Sequence, residues 1–132
     1  MDNDKPMLSI KLDSPFPTLN EYIDKERANR VAAARIKRNY THLAKILTRN
    51  KGTVSQKVDL LFEWHVATSH DHDNIAFGKK FILDGMKLAG VIKDDRQKFI
   101  GHLYDEFYKD KLSYVVVHFL EHKKGGRWNI GI

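Results

Sequence analysis

The chain contains no cysteine in its 132 residues, which excludes disulfides and thiolate metal sites. No apolar run approaches the about 20 residues of a membrane-spanning helix, and the charged start Met1–Lys5 is unlike a signal peptide. There is no glycine-rich phosphate loop and no nucleophile motif, so we expect no nucleotide cofactor. We therefore expect a cytoplasmic protein that forms one domain over residues 1–132, within the usual range of about 100–200 residues.

Acidic charge is also scarce, with 17 Asp and Glu against 23 Lys and Arg and a formal net charge of +6. Residues 27–51 contain eight basic residues and no acidic one, so their charge exceeds that of the whole chain. The basic residues of this segment are Arg27, Arg30, Arg35, Lys37, Arg38, Lys45, Arg49 and Lys51. The segment lies in a predicted long helix, Asn20–Arg49, with Asn20 as its cap.

A helical face with charge of one sign favours phosphate binding. Arg27, Arg38, Lys45 and Arg49 fall within about 40° of one another on the wheel of a single helix. With Arg30, they are the predicted DNA-binding residues. A solvated amphipathic helix is the alternative, and an anionic membrane surface is disfavoured because the apolar face lacks tryptophan.

The scarce acidic residues are concentrated between positions 71 and 95, where five of the seventeen occur. They are Asp71, Asp73, Asp84, Asp94 and Asp95. Carboxylates this close repel one another unless a cation or a shifted pKa compensates, and Mg²⁺ prefers carboxylate oxygen. The pattern predicts an acidic metal site in a basic protein that binds and cuts a polyanion.

A helix predicted over Asn74–Ala89 would align some of these residues. Asp73, Lys80 and Asp84 lie within about 20° of one line along it, whereas Lys79 falls off that line and is expected to be solvated. Asp73 is alternatively an N-cap. In the same way, Asp94 and Asp95 are alternatively a polar turn after a helix that ends at glycine.

Alternating apolar residues predict four strands, with the last two joined at Lys109–Lys111 as an antiparallel hairpin. The predicted strands are Leu8–Leu12, Val58–Ala67, Phe99–Tyr108 and Ser113–Glu121. The order β-α-β-α-β-β predicts an α+β fold, a small mixed sheet with two main helices. The basic tail, 123–132, is expected to be loose and to add a phosphate contact.

Three acidic motifs resemble the signature of the RusA family of Holliday junction resolvases. They are Asp71-x-Asp73-Asn74, Lys80-x-x-x-Asp84 and Ala89-Gly90-Val91-Ile92-x-Asp94-Asp95. Ser14–Asn20 resembles the proline-containing amino-terminal motif of that family, and the likeness spans roughly residues 8–119. Two features depart from the family pattern: more residues separate Asp73 from Lys80, and His70 replaces a basic residue.

The resemblance implies a homodimeric, Mg²⁺-dependent endodeoxyribonuclease that cuts four-way junctions, with Mn²⁺ as a substitute. It also implies a cytoplasmic protein encoded by a phage or a prophage. Asp71, Asp73 and Asp95 would be catalytic residues that hold the metal, and Lys80 would be catalytic by stabilising the transition state. Asp94 would lie in the outer shell. Asp84 would lie there too or would instead hold Lys80, which the (i, i+4) spacing places within reach. The alternative is a nucleic-acid-binding module without catalysis, in which the aspartates are caps and turns.

Overall fold

The structure is a computed structural model that describes residues 5–127. Its elements are β1 (Leu8–Leu12), α1 (Leu19–Ala28), α2 (Arg30–Thr48), β2 (Val58–Val66), α3 (His72–Ala76), α4 (Lys79–Leu88), β3 (Ile100–Lys109) and β4 (Tyr114–Glu121). The predicted α+β class is confirmed. No helix in this described range is long and apolar enough to cross a membrane. The end of the predicted basic tail, 128–132, lies outside the described residues.

The four strands form one mixed sheet in the order β1-β4-β2-β3. Strand β4 runs antiparallel to both β1 and β2, whereas β3 runs parallel to β2. The predicted hairpin of the last two strands is therefore wrong, because β2 lies between them. The connection passes over the end of β2, where the Asp110 N–H donates to the Val66 carbonyl at 3.0 Å. Ser113 Oγ accepts from the Ala67 N–H at 3.0 Å.

The predicted long helix is two helices, because Asn29 interrupts it. Asn29 is extended, with φ −166° and ψ 113°, and its N–H donates to the Lys25 carbonyl. Its side chain accepts from the N–H groups of Val31 and Ala32. Asparagine favours such a cap over a helix interior because its side chain competes for backbone hydrogen bonds.

The second predicted helix is also divided, into α3 and α4. Phe77 (φ −55°, ψ −32°) and Gly78 (φ −58°, ψ −20°) keep helical angles at the junction, and the Lys80 N–H donates to the Phe77 carbonyl at 3.2 Å. Gly78 is buried, and a Cβ there would lie 2.9 Å from Phe16 Cβ. We refer to residues 72–88 as the α3–α4 unit.

The core lies between the sheet and the helices. Its buried residues include Ile10, Leu12, Ala44, Leu60, Phe62, Trp64, Ile82, Met86, Val117 and Phe119. Helix α4 packs closely on α2 at Gly85, where a Cβ would lie 2.5 Å from Ala44 Cβ and 2.7 Å from the Lys45 backbone nitrogen. The small residues therefore fix the spacing of the two helices.

A buried carboxylate anchors the described part of the tail. Asp59 is fully buried in β2 and contacts the Arg127 guanidinium. It lies 2.8 Å from His122 Nδ1 and accepts from the Lys123 N–H at 3.1 Å. The expectation of a loose tail is therefore wrong as far as Arg127, which is itself buried.

Candidate functional site

The first acidic pair, Asp71 and Asp73, lies where the chain leaves β2 and enters α3. Asp71 occupies the N-cap position with φ −66° and ψ 149°, but its side chain makes no cap hydrogen bond. Within residues 5–127, Asp73 Oδ1 accepts from the N–H of the next residue alone, at 3.0 Å. Both residues are exposed. Neither carboxylate therefore caps the helix, and both remain open to a ligand.

Buried contacts fix the position of this pair. The side chain of Asn74, which follows Asp73, is buried, and its Oδ1 accepts from the Asn20 N–H at 2.8 Å. Thr18, rather than the predicted Asn20, caps α1 by accepting from the Glu21 N–H at 3.3 Å. The segment Ser14–Asn20 thus contacts the acidic motif directly, which sequence spacing alone did not indicate.

The second acidic group lies around the end of α4 and contains Asp84, Asp94 and Asp95. Lys87 Nζ lies 3.6 Å from Asp84 Oδ1 and 3.4 Å from Asp95 Oδ1. Partial burial lowers the pKa of Lys87, but the nearby charges of Asp95 and Asp84 outweigh it and the net pKa is raised. The predicted partner of Asp84 was Lys80, so this expectation is wrong: Asp84 pairs with Lys87, one turn onward.

Asp94 is also paired, through its neighbours in the loop. Its Oδ2 accepts from Arg96 Nε at 2.7 Å, and its Oδ1 accepts from the Asp95 N–H at 2.7 Å. Desolvation raises the pKa of Asp94, but these hydrogen bonds lower it more strongly. The loop is therefore ordered by its own charges, as the polar-turn alternative expects.

The two acidic groups do not meet within one chain. Asp73 is in α3, whereas Lys87, which holds Asp95, is fourteen positions later, in the last turn of α4. Across residues 5–127, the one set of three or more Asp, Glu or His groups close enough to share a metal is Asp59, His102 and His122. One chain therefore does not assemble the expected Asp71, Asp73 and Asp95 site, and their role as ligands stays a prediction.

The Asp59, His102 and His122 set was not foreseen, because its members are far apart in sequence. Its ligand atoms lie within 4.8 Å of one another. His102 Nε2 is 3.0 Å from the Lys123 carbonyl, which can only accept, so His102 donates there. Both Asp59 oxygens already accept hydrogen bonds. The contacts are those of an ion-pair and hydrogen-bond network that fastens the tail.

Lys79 and Asp105 form a second pair that the sequence did not indicate. Lys79 Nζ lies 2.6 Å from Asp105 Oδ2 on β3, with only 17% and 22% of the two side chains exposed. Asp105 Oδ1 also accepts from Trp64 Nε1 at 2.9 Å. The expectation that Lys79 is solvated is therefore wrong. Lys80 is exposed and has no ion pair among residues 5–127.

Lys79→Ala is expected to lower the free energy of unfolding by about 1–3 kcal/mol, because it leaves Asp105 mostly buried without its charged partner. Lys80→Ala, which removes the same charge from the next position, is expected to leave stability unchanged. Urea denaturation of both variants measures the difference. Equal stability of the two variants would contradict the buried pair.

The basic face of α2 opens onto the second acidic group. A groove of about 720 Å³ runs between α2 and α4, lined by Lys37, Arg38, Asn39, Thr41, His42, Lys45, Asp84, Lys87 and Leu88. The groove therefore has four positively charged side chains and one negatively charged side chain, that of Asp84. The packing of Gly85 against Ala44 sets the spacing of its walls. This groove can hold an anion such as a backbone phosphate.

The other predicted DNA-binding residues lie outside this groove. Arg27 is in the last turn of α1 and Arg30 begins α2. Both line a second groove of about 550 Å³ with Lys37. Arg49 is exposed at the C-cap of α2. The break at Asn29 means that Arg27 does not share a helical face with Arg38, so that part of the wheel prediction is wrong.

Comparison of the chain with protein-family models and with curated proteins finds no match. The function is therefore inferred from the residues and their geometry.

Proposed function

We propose that this protein is a structure-selective endodeoxyribonuclease that cuts branched DNA, with four-way junctions as its principal substrate and Mg²⁺ as its cofactor. The supporting observation is the groove between α2 and α4. Arg38, Lys45 and Asp84 line this groove together, and Lys87 links Asp84 to Asp95. Hydrolysis of a polyanion requires cations that bind the DNA phosphates. It also requires a concentration of carboxylates beside those cations.

The reaction is hydrolysis of a phosphodiester. Water attacks phosphorus, the bond from phosphorus to the 3′ oxygen breaks, and that oxygen takes up a proton, which leaves a 5′-phosphate and a 3′-hydroxyl. Lys80, exposed beside Lys79 on α4, can approach the phosphate and stabilise the developing negative charge. Asp71, Asp73 and Asp95 are the expected ligands of Mg²⁺ or Mn²⁺, although one chain does not bring them together.

The direct test is incubation of the protein with a synthetic four-way junction, with and without Mg²⁺. Symmetrically placed nicks with ligatable 5′-phosphates are expected only with the metal, and a linear duplex of the same sequence is expected to remain uncut. An intact junction at every Mg²⁺ and Mn²⁺ concentration would refute the proposal.

Replacing Arg38 and Lys45 together with Gln is expected to weaken junction binding and to flatten its salt dependence. Removal of one phosphate-binding charge reduces the slope of log affinity against log salt by about 0.9. Fluorescence anisotropy at several salt concentrations measures the slope. Lys57→Gln with Lys111→Gln, at exposed positions outside the groove, changes the net charge equally and is the control. A slope changed equally by both pairs would show that the groove makes no specific contact.

Lys80→Ala is expected to lower the cleavage rate by about 10²–10³-fold, because it removes a positive charge placed near a developing oxyanion. Junction affinity should be nearly unchanged. Single-turnover cleavage measured alongside binding separates these two effects. An unchanged rate would remove Lys80 from the proposed reaction.

The alternative, a DNA-binding module without catalysis, is supported by a specific observation. Asp84 and Asp95 share Lys87, and Asp94 is paired with Arg96, so these carboxylates are partly neutralised without a metal. Calorimetric titration with Mg²⁺ distinguishes the alternatives. A nuclease should give Mg²⁺ binding heat that disappears in Asp71→Asn, and a simple binding module should give none.

A further inference from the structure

A bulge in β3 brings a histidine close to the buried Asp59. Between two successive register pairs, β3 contains Gly101 and His102 where β2 contains Asp59 alone. Bulges re-aim side chains, are found next to functional sites and are rare between parallel strands such as these. One ligand atom from each of Asp59, His102 and His122 lies within 4.8 Å of the others. The bulge therefore gathers two imidazoles and a carboxylate at one end of the sheet.

The backbone of Lys123 fixes the position of the ring hydrogen on His102. The Lys123 N–H donates to Asp59 Oδ2 at 3.1 Å, and the Lys123 carbonyl lies 3.0 Å from His102 Nε2. Because a carbonyl oxygen can only accept, Nε2 carries the hydrogen. A neutral imidazole has one N–H, so Nδ1 of His102 keeps a lone pair that can bind a metal ion.

The ring of His122 is oriented in the same way. Its Nδ1 lies 2.8 Å from Asp59 Oδ1 and donates, because an ionised carboxylate can only accept. The lone pair of the neutral ring is therefore on Nε2. Gly101 makes room for this ring, because a Cβ at that position would overlap His122 Nδ1. The His122 side chain is 23% exposed, so solvent and ions reach it.

The two rings have the spacing of ligands of one ion. Their centroids lie 5.2 Å apart, with 30° between the ring planes. Zinc binds imidazole nitrogen at about 2.0–2.1 Å with tetrahedral geometry, which places two imidazole centroids about 5 Å apart. Histidines that bind metals usually donate their other N–H to a carboxylate or a backbone carbonyl. His122 donates to the carboxylate of Asp59, and His102 donates to the carbonyl of Lys123.

We propose that His102 and His122 form a binding site for one Zn²⁺ ion, through Nδ1 of His102 and Nε2 of His122, with solvent completing the coordination. Asp59 is a positioning residue, because both of its oxygens already accept hydrogen bonds. Imidazole nitrogen suits Zn²⁺, whereas Mg²⁺ prefers oxygen. The site uses none of the aspartates expected to hold Mg²⁺ and does not depend on the proposed nuclease function.

A bound ion would join the edge strand β3 to the segment that follows β4. His102 is in β3, and His122 comes directly after β4. An ion that binds the folded chain and not the unfolded chain stabilises the fold. Zn²⁺ should therefore raise the midpoint of thermal unfolding, and His102→Gln should remove this rise. A midpoint that does not respond to Zn²⁺ in the unmodified protein would overturn the proposal.

Calorimetric titration with Zn²⁺ in excess Mg²⁺ measures the site directly. One Zn²⁺ should bind per chain, and His102→Gln should weaken this binding by more than about 10-fold. Glutamine keeps an N–H donor for the Lys123 carbonyl. His42→Gln, at an exposed position on α2, is the matched control and should bind Zn²⁺ as the unmodified protein does. Equally tight binding by His102→Gln, or no binding by the unmodified protein, would overturn the site.

A second measurement needs no substitution, so it does not depend on whether a variant folds. Long-range proton–nitrogen NMR spectra resolve the two ring nitrogens of each histidine. Zn²⁺ should shift the resonances of His102 Nδ1 and His122 Nε2 and leave the opposite nitrogen of each ring protonated. Shifts confined to others of the seven histidines would overturn the proposed site even if the protein binds Zn²⁺.

Discussion

Asp73→Asn is expected to abolish Mg²⁺-dependent junction cleavage, with a loss of more than about 10³-fold, while junction binding stays nearly unchanged. Asparagine keeps the Oδ1 that accepts from the Asn74 N–H at 3.0 Å, so the start of α3 should keep its shape. The substitution removes a negative charge that a metal needs and leaves the cations of the groove in place. Cleavage kinetics and anisotropy on the same preparation measure both quantities.

The control for this substitution is Asp24→Asn, which makes the same change of charge at an exposed position on α1. It should cut at the unmodified rate. Loss of binding in parallel with cleavage in Asp73→Asn would indicate misfolding or a different role, and retained cleavage would exclude Asp73 as a ligand.

Asp59→Asn is expected to lower the free energy of unfolding by about 3–5 kcal/mol at neutral pH, because it leaves the buried Arg127 without its charge partner. Arg127 also donates to the Glu121 carbonyl, so the substitution should loosen the end of β4 and the tail. Asp13→Asn, at a side chain that is 73% exposed and paired with Lys11, is the control. It should change stability by less than about 1 kcal/mol.

The same pair predicts a pH dependence with a definite sign. Burial raises the pKa of Asp59, but hydrogen bonds from His122, Lys123 and Arg127 together lower this pKa by more. The folded pKa therefore lies below the unfolded value near 3.8. The stabilisation is therefore present above the unfolded pKa and is lost as the pH falls through the folded pKa. Urea denaturation at pH 7 and in acid should show the gap between the unmodified protein and Asp59→Asn narrowing in acid. A gap that widens in acid would contradict this.

The sequence predicted the strands well, because each strand either alternates apolar with polar residues or is rich in β-branched and aromatic residues. It did not predict their pairing. A short connection between two strands usually means a hairpin, but β2 has a buried face and needs partners on both edges. The loop Asp110–Ser113 is just long enough to cross its end. Nothing local distinguishes that crossing from a turn.

The candidate site was predictable where its chemistry is local. The exposed pair Asp71 and Asp73 and the basic side of α2 both follow from composition and spacing. The neighbours of Lys79 and Lys87 did not follow, because Asp105 is on β3 and the conformation of the loop after α4, which brings Asp95 back to Lys87, is not set by spacing alone. The helix break at Asn29 was missed because the pattern of basic residues continues through it.

The place of β4 has a consequence for how the chain folds as it is synthesised. Strand β4 is the last of the described strands, yet it lies inside the sheet between β1 and β2. Strand β1 is synthesised before the other described strands, and β4 is its one neighbour among them. It therefore cannot pair until Phe119 and the residues before it have been synthesised. A nascent chain that ends before β4 would therefore leave the backbone N–H and C=O groups along one edge of β1 and one edge of β2 unpaired. Sheet closure should be a late and cooperative event, and truncations within β4 should aggregate rather than fold partly.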